Sequence, residues 1–126
     1  MGIRKISAPL DICARCVAYA LRAIKLYQFL QARKDGAGWI LGKQYLRSAT
    51  SIGANVEEAQ AGESRSDFIH KMGIALKEAR ESLYWLHLLA ESGIVRLSKL
   101  ESLIKETDEI VAVIGSIIVN TKRRKL

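Results

Sequence analysis

Apolar side chains return every third or fourth position along most of this chain, the spacing that lines one face of an α-helix. In the first segment Cys13, Cys16, Val17, Ala20, Ile24 and Tyr27 share a side. A second set comprises Leu41, Tyr45, Ala49, Ile52, Val56 and Ala59, and a third Phe68, Met72, Leu76, Ala79, Leu83, Leu86 and Ala90. Leu103, Thr107, Ile110, Ile114, Ile117 and Thr121 make a fourth. Capping and stop residues then place the boundaries, predicting helices over about 10–34, 39–61, 65–92 and 98–121. The first opens after Ser7 and Pro9 and closes at Asp35-Gly36, and the second stops at a left-handed Gly62. The third is capped within Ser64–Asp67 and ends at Gly93 in a Schellman arrangement that brings Ile94 to Leu89. The fourth opens with the capping box Ser98-Lys99-Leu100-Glu101.

Pro9 is the one proline in the sequence, so nothing after it interrupts helix formation as proline would. No strand pattern, repeat or low-complexity linker breaks the order. At 126 residues the chain suits a single domain, 1–126, and short connections between four helices make them alternate in direction. The expected fold is all-α, an up-down-up-down four-helix bundle.

One stripe per helix is enough for one bundle, yet the third helix carries Ile74, Trp85 and Leu88 on the side away from Met72. Residues 110–119 are apolar nearly all round, which calls for burial on more than one side. With 49 % hydrophobic residues, the sequence therefore predicts self-association. In the second helix, Ser48, Ala49, Gly53 and Asn55 fall within or beside the inward stripe. Short side chains there suit close approach of a neighbouring helix, although a mid-helix glycine costs about 1 kcal/mol relative to alanine. Glu57 and Glu58 stand in the last turn, where the helix dipole disfavours negative charge, so a cation from the third helix or from an adjoining subunit is expected to meet them.

Charge changes the picture further. The formal net charge is +7, and residues 1–50 hold nine Lys or Arg against Asp11 and Asp35. Arg15, Arg22, Lys25 and Arg33 fall in one sector of the first helix, Lys43 and Arg47 lie four apart on the second, and Lys122, Arg123, Arg124 and Lys125 form a basic tail over 122–126. Such a surface attracts phosphate backbones without reading sequence. A solvated helix face and a solubilising tail would look the same in sequence, and multiplication of the basic sector by oligomerisation favours binding.

Catalytic chemistry finds no positive support. Di-iron bundles need inward carboxylates and two Glu-x-x-His pairs, whereas this chain has a lone Asp67-x-x-His70 at a helix start. His87 has no Ser, Cys or Asp placed for a triad, and no phosphate-binding or dinucleotide glycine motif occurs. Cys13 and Cys16 lack both a preceding strand and a second Cys or His pair, so they read as core thiols. No metal or other cofactor is expected. No apolar run reaches the roughly 18 residues of a membrane span, and the amino terminus lacks a secretory pattern, so a cytoplasmic protein is expected.

Three stretches carry a family resemblance: ALRAIKLYQFL, LRSATSIGANVEEAQAGES and DFIHKMGIALKEARESLYWLHLLAESGIV. They resemble the four-helix-bundle proteins related to those encoded in intervening sequences of bacterial 23S ribosomal RNA genes, over nearly the whole chain. The resemblance implies an up-down bundle assembled as a ring-shaped homopentamer with a basic surface. It also implies a distant kinship with accessory variability proteins of diversity-generating retroelements, which partner a reverse transcriptase and bind nucleic acid. By position it carries over Arg47, Ser48, Ser51, Ile52, Asn55, Glu57 and Glu58 in the second helix, and Asp67, Phe68, Glu78, Glu81, Tyr84 and Trp85 in the third. Their implied role is folding and subunit contact. The expected function is a non-enzymatic scaffold that binds RNA or other nucleic acid; a protein-binding adaptor, for example for a reverse transcriptase, is the alternative.

Overall fold

The computed structural model describes residues 11–124, which form α1 (Ile12–Ala32), α2 (Gly36–Gln60), α3 (Arg65–Glu91) and α4 (Leu97–Arg123). Ser7, Pro9 and Leu10, expected at the start of the first helix, lie outside the described residues, as does Lys125. Asp11 caps α1, its carboxylate accepting from the Ala14 N–H at 3.2 Å. The chain turns through Lys34, which takes a left-handed φ of 59°, and Asp35 then caps α2 by accepting from the Gly38 N–H at 2.9 Å. The second helix thus begins three residues earlier than its apolar pattern predicts. A side-chain cap is worth about 1 kcal/mol and offsets the cost of glycine in the first turn. Gly38 is buried besides, and a Cβ there would stand 3.0 Å from the Ile94 Cγ2.

Ser64 caps α3 as expected, accepting from the Asp67 N–H at 3.0 Å. Two other caps differ from the sequence reading. Among the described glycines Gly93 takes a positive φ, 79°, and Gly62 does not. The Gly93 N–H bonds the Ala90 carbonyl, the Val95 N–H returns to the Leu89 carbonyl at 3.1 Å, and Ile94 packs against the core cluster that includes Leu89. The Ser98–Glu101 capping box does not form, because α4 already starts after Arg96 and has no side-chain cap.

Consecutive helices pack antiparallel. Tyr19 meets Tyr45 between α1 and α2, Ser48 meets Ser82 between α2 and α3, and Arg65 reaches Thr121 between α3 and α4. Tyr19 also meets Thr107, closing α4 against α1 along a narrower seam. Tyr19, Tyr45, Ile52, Met72, Leu86 and Ile110 fill the core. A chain of hydroxyls runs through it: Tyr45 donates to Tyr19 at 3.0 Å, Tyr19 and Thr107 share a hydrogen bond of 2.6 Å, and Thr107 donates to the Leu103 carbonyl. Among the described residues no buried side-chain nitrogen or oxygen lacks a partner, so these polar groups fix register without the cost of an orphan.

The small residues of α2 have a clear use. A Cβ on Gly53 would lie 3.1 Å from the Cys16 Cβ, so α1 and α2 approach closely there, while Ser48 and Ser82 join across the α2–α3 seam at 2.8 Å. Asn55 is half-buried and donates to Ser51 within its own helix. Replacing Gly53 by Val should therefore wedge α1 away from α2 and cost about 1–3 kcal/mol, read as a lower urea midpoint at unchanged slope.

The inward phase of α1 differs from the predicted stripe. Cys13, Cys16, Tyr19, Ala23 and Leu30 are buried, whereas Val17 and Ile24 are 52 % and 38 % exposed and Leu21 is 56 % exposed. Helix α1 is apolar on both sides, so period alone does not choose; the Tyr19 hydroxyl, needing Tyr45 and Thr107, does. On α3, Ile74, Trp85 and Leu88 are half-buried, and Trp85 packs against the core. On α4, Ile110 and Ile114 are buried while Val119 is exposed. Among the described residues no helix is long and apolar enough to cross a membrane.

Candidate nucleic-acid interface

Two of the arginines expected to meet phosphate are held by carboxylates. Arg15 donates through Nε and Nη2 to both oxygens of Glu106, at 2.8 and 3.0 Å, and again through Nη2 to Glu109 at 2.5 Å. The hydrogen bonds to Glu106 hold its guanidinium more firmly protonated than usual, against the cost of burial. Arg47 crosses from α2 to α3, bonding Glu81 and reaching Glu78 at 3.4 Å, and its pKa is likewise raised, chiefly by Glu81. The indole of Trp85 donates to the same Glu81 at 3.1 Å. Glu78, Glu81 and Trp85 thus gather around Arg47 on one seam of the bundle.

The cation sought for the end of α2 is Lys71 of α3, 3.2 Å from Glu58. Glu57 is half-buried, and its charge adds to the forces on the Cys16 thiol, which burial first and the neighbouring Cys13 second push up to about 12. Cys13 and Cys16 are both buried and unoxidised. His70 and His87 are exposed, and among the described residues no three His, Cys, Asp or Glu converge as a metal site.

The remaining cations of α1 do come together, and they recruit others. At the end of the bundle where the α1–α2 loop meets the α3–α4 turn, α1 and α4 leave a groove with Phe29 at its centre. Two adjoining pockets, of about 710 and 270 Å³, share Phe29, Val95 and Lys99. Arg33 and Arg96 line the first, Arg22 and Lys25 the second, and Lys99 both. Among the described residues no carboxylate lines either. The Lys99 Nζ lies 4.6 Å from the Phe29 ring centroid and the Arg33 Cζ 5.5 Å, so the ring holds two cations in place. Arg22 donates to the Ser102 hydroxyl at 2.9 Å, and Arg33 to the Ile94 carbonyl. Leu26, Val95, Leu100 and Leu103 complete the apolar floor.

Arg22, Lys25 and Arg33 were visible in sequence as one helical sector; Arg96 and Lys99 were not. No local pattern marks them, because they reach Phe29 only when the α3–α4 turn folds over the end of α1. Lys43 stands over the Trp39 ring, 3.9 Å from its centroid, on the α2 side of the same end. Lys122 and Arg123 extend α4 at the opposite end of the bundle. There the carbonyl of Arg124 accepts from Arg65, which also reaches that of Thr121 at 3.4 Å, so these tail cations do not continue the groove.

A groove with five cations, no carboxylate and an aromatic centre can hold a polyanion and stack against it, but supplies no nucleophile with an adjacent base. Among solved structures, the chain is similar to the crystal structure of a protein of unknown function from the S23 ribosomal protein family of Bacteroides thetaiotaomicron. The two are 42 % identical with a TM-score of 0.80, over 85 % of this chain and 97 % of that one. No curated protein matches the sequence. Residues 9–116 match the profile of the family described as 23S rRNA-intervening sequence protein. With that match spanning most of its length, the chain belongs to the 23S rRNA-intervening sequence protein family.

Proposed function

We propose that this protein is a non-enzymatic, homo-oligomeric scaffold that binds RNA through the basic groove between α1 and α4. The observation that carries the reading is the gathering of Arg22, Lys25, Arg33, Arg96 and Lys99 around Phe29 without a carboxylate among the lining residues. Five uncompensated cations on one small surface favour phosphate through counterion release, and nothing in the groove selects a base sequence. Membership in a family described by 23S rRNA intervening sequences supports RNA over other polyanions.

Self-association has its own support in the exposed Val17, Leu21 and Ile24, which lie on successive turns of α1. A ring of copies, five by the family resemblance, would cover this strip and repeat the groove around its rim. A partner protein such as a reverse transcriptase would find the same strip, which makes an adaptor the second reading. Binding of a fluorescein-labelled structured RNA, followed by anisotropy at 50 and 200 mM salt, tests the first. With four or five phosphates engaged per protomer, affinity should fall on the order of 100-fold between the two salts. Affinity that is negligible at the lower salt, or equal at both, would remove the RNA reading and leave the adaptor.

A further inference from the structure

We propose that Trp39 is a stacking platform for an unpaired nucleobase, so that the basic end of the bundle takes single-stranded RNA in preference to duplex. The inference rests on the RNA-binding reading and specifies which RNA. Trp39 lies in the first turn of α2 and leaves 39 % of its surface exposed, aromatic area that a ligand can cover. Its ring is nevertheless held in a fixed orientation. The indole N–H donates to the Tyr27 hydroxyl at 3.2 Å, and the Lys43 ammonium stands 3.9 Å from the ring centroid. An aromatic plane oriented by a hydrogen bond and covered by a cation on one face offers a base its other face and the following phosphate a counter-charge.

Beside the ring is a pocket of about 240 Å³ formed with Gln31, Lys34, Asp35 and Gly36, open to solvent and large enough for one base. Asp35 is the one carboxylate lining it, and its Oδ1 is engaged by the Gly38 N–H at 2.9 Å, as the cap of α2. Lys34 adds a second cation on this side, next in sequence to Arg33 of the groove. A strand crossing the end of the bundle could therefore place phosphates against Arg33 and Lys99 and one base against Trp39. A duplex keeps its bases stacked on each other and presents no free π-face, so Trp39 discriminates between the two forms of RNA.

The test uses a 12-residue oligouridylate and an RNA duplex of equal length. In a Trp85→Phe variant Trp39 is the remaining tryptophan of the two in the sequence; oligouridylate should quench its fluorescence and the duplex should not. In the otherwise native protein, Trp39→Ala should lower the single-strand affinity, relative to the duplex affinity of the same variant, about tenfold, the loss of one stacked base. This second arm uses labelled RNA and does not depend on the Trp85 variant folding. Unchanged preference in Trp39→Ala, or quenching equal for both RNAs, would overturn the platform while leaving RNA binding in place. Failure of the native protein to bind either RNA would overturn the underlying reading and the platform together.

Discussion

Between about pH 8 and pH 11 the protein is expected to lose about 3 kcal/mol or more of folding stability. The cause is the Cys16 thiol, 1 % exposed and pressed against the α1–α2 crossing at Gly53. Burial holds its native pKa up at about 12, while an unfolded thiol ionises near 8.5. Between those values the unfolded chain binds fewer protons than the native one, so the unfolding free energy falls as pH rises. At roughly 1.4 kcal/mol per pH unit, the span from about 8.5 to 11 removes about 3 kcal/mol from this group alone. Tyr19 and Tyr45, both raised chiefly by burial, add to the loss above the ordinary tyrosine value of about 10. The thiol's contribution is fully present below about pH 8.5, so no matching loss is expected from these groups on the acid side. Urea unfolding at a series of pH values measures this directly. Cys16→Ala should flatten the curve from its onset and Tyr45→Phe its upper part, and a native curve level to pH 11 would contradict the burial argument.

Replacing Arg22, Lys25 and Lys99 together by alanine should lower RNA affinity on the order of a hundredfold at 50 mM salt. Removing three phosphate contacts should also make the salt dependence shallower by about two units of log affinity per log salt. All three side chains are exposed, so their loss should change stability by no more than about 0.5 kcal/mol each. Arg15→Ala should show the reverse. It leaves Glu106 and Glu109 facing each other without their shared cation, costing about 1 kcal/mol of stability and little RNA affinity. A triple variant that binds like the native protein would remove the groove as the site, and an Arg15 variant that loses most of its affinity would move the site along the α1–α4 seam to Arg15.

What could be read from sequence, and what could not, divides along a physical line. Ser48 and Gly53 were legible because small residues inside an apolar stripe serve close helix approach, which is what they do against Ser82 and Cys16. Capping by Ser64 was legible because its partner is three residues away. The phase of α1 was not, since Val17 and Ile24 compete with Tyr19, Ala23 and Leu30 for the inward side. A hydroxyl bond from Tyr19 to Thr107, 88 residues on, settles it. Period alone places Arg15, Arg22, Lys25 and Arg33 in one sector of α1, but the neutralisation of Arg15 by Glu106 depends on a partner 91 residues distant. Arg96 and Lys99 escaped for the same reason: in sequence they belong to a turn and a supposed capping box, and only the packing of α4 on α1 brings them to Phe29. Helices follow from local period, whereas the inward side of a helix apolar all round, and which cations remain available for a ligand, follow from tertiary pairing.

Ultraviolet cross-linking of a short single-stranded RNA, followed by mass mapping of the modified peptides, tests the central claim most directly at any oligomeric state. Cross-links are expected on the peptides spanning residues 25–33 and 96–99, around Phe29. Cross-links confined to residues 65–80 or 121–124, at the other end of the bundle, would contradict the account.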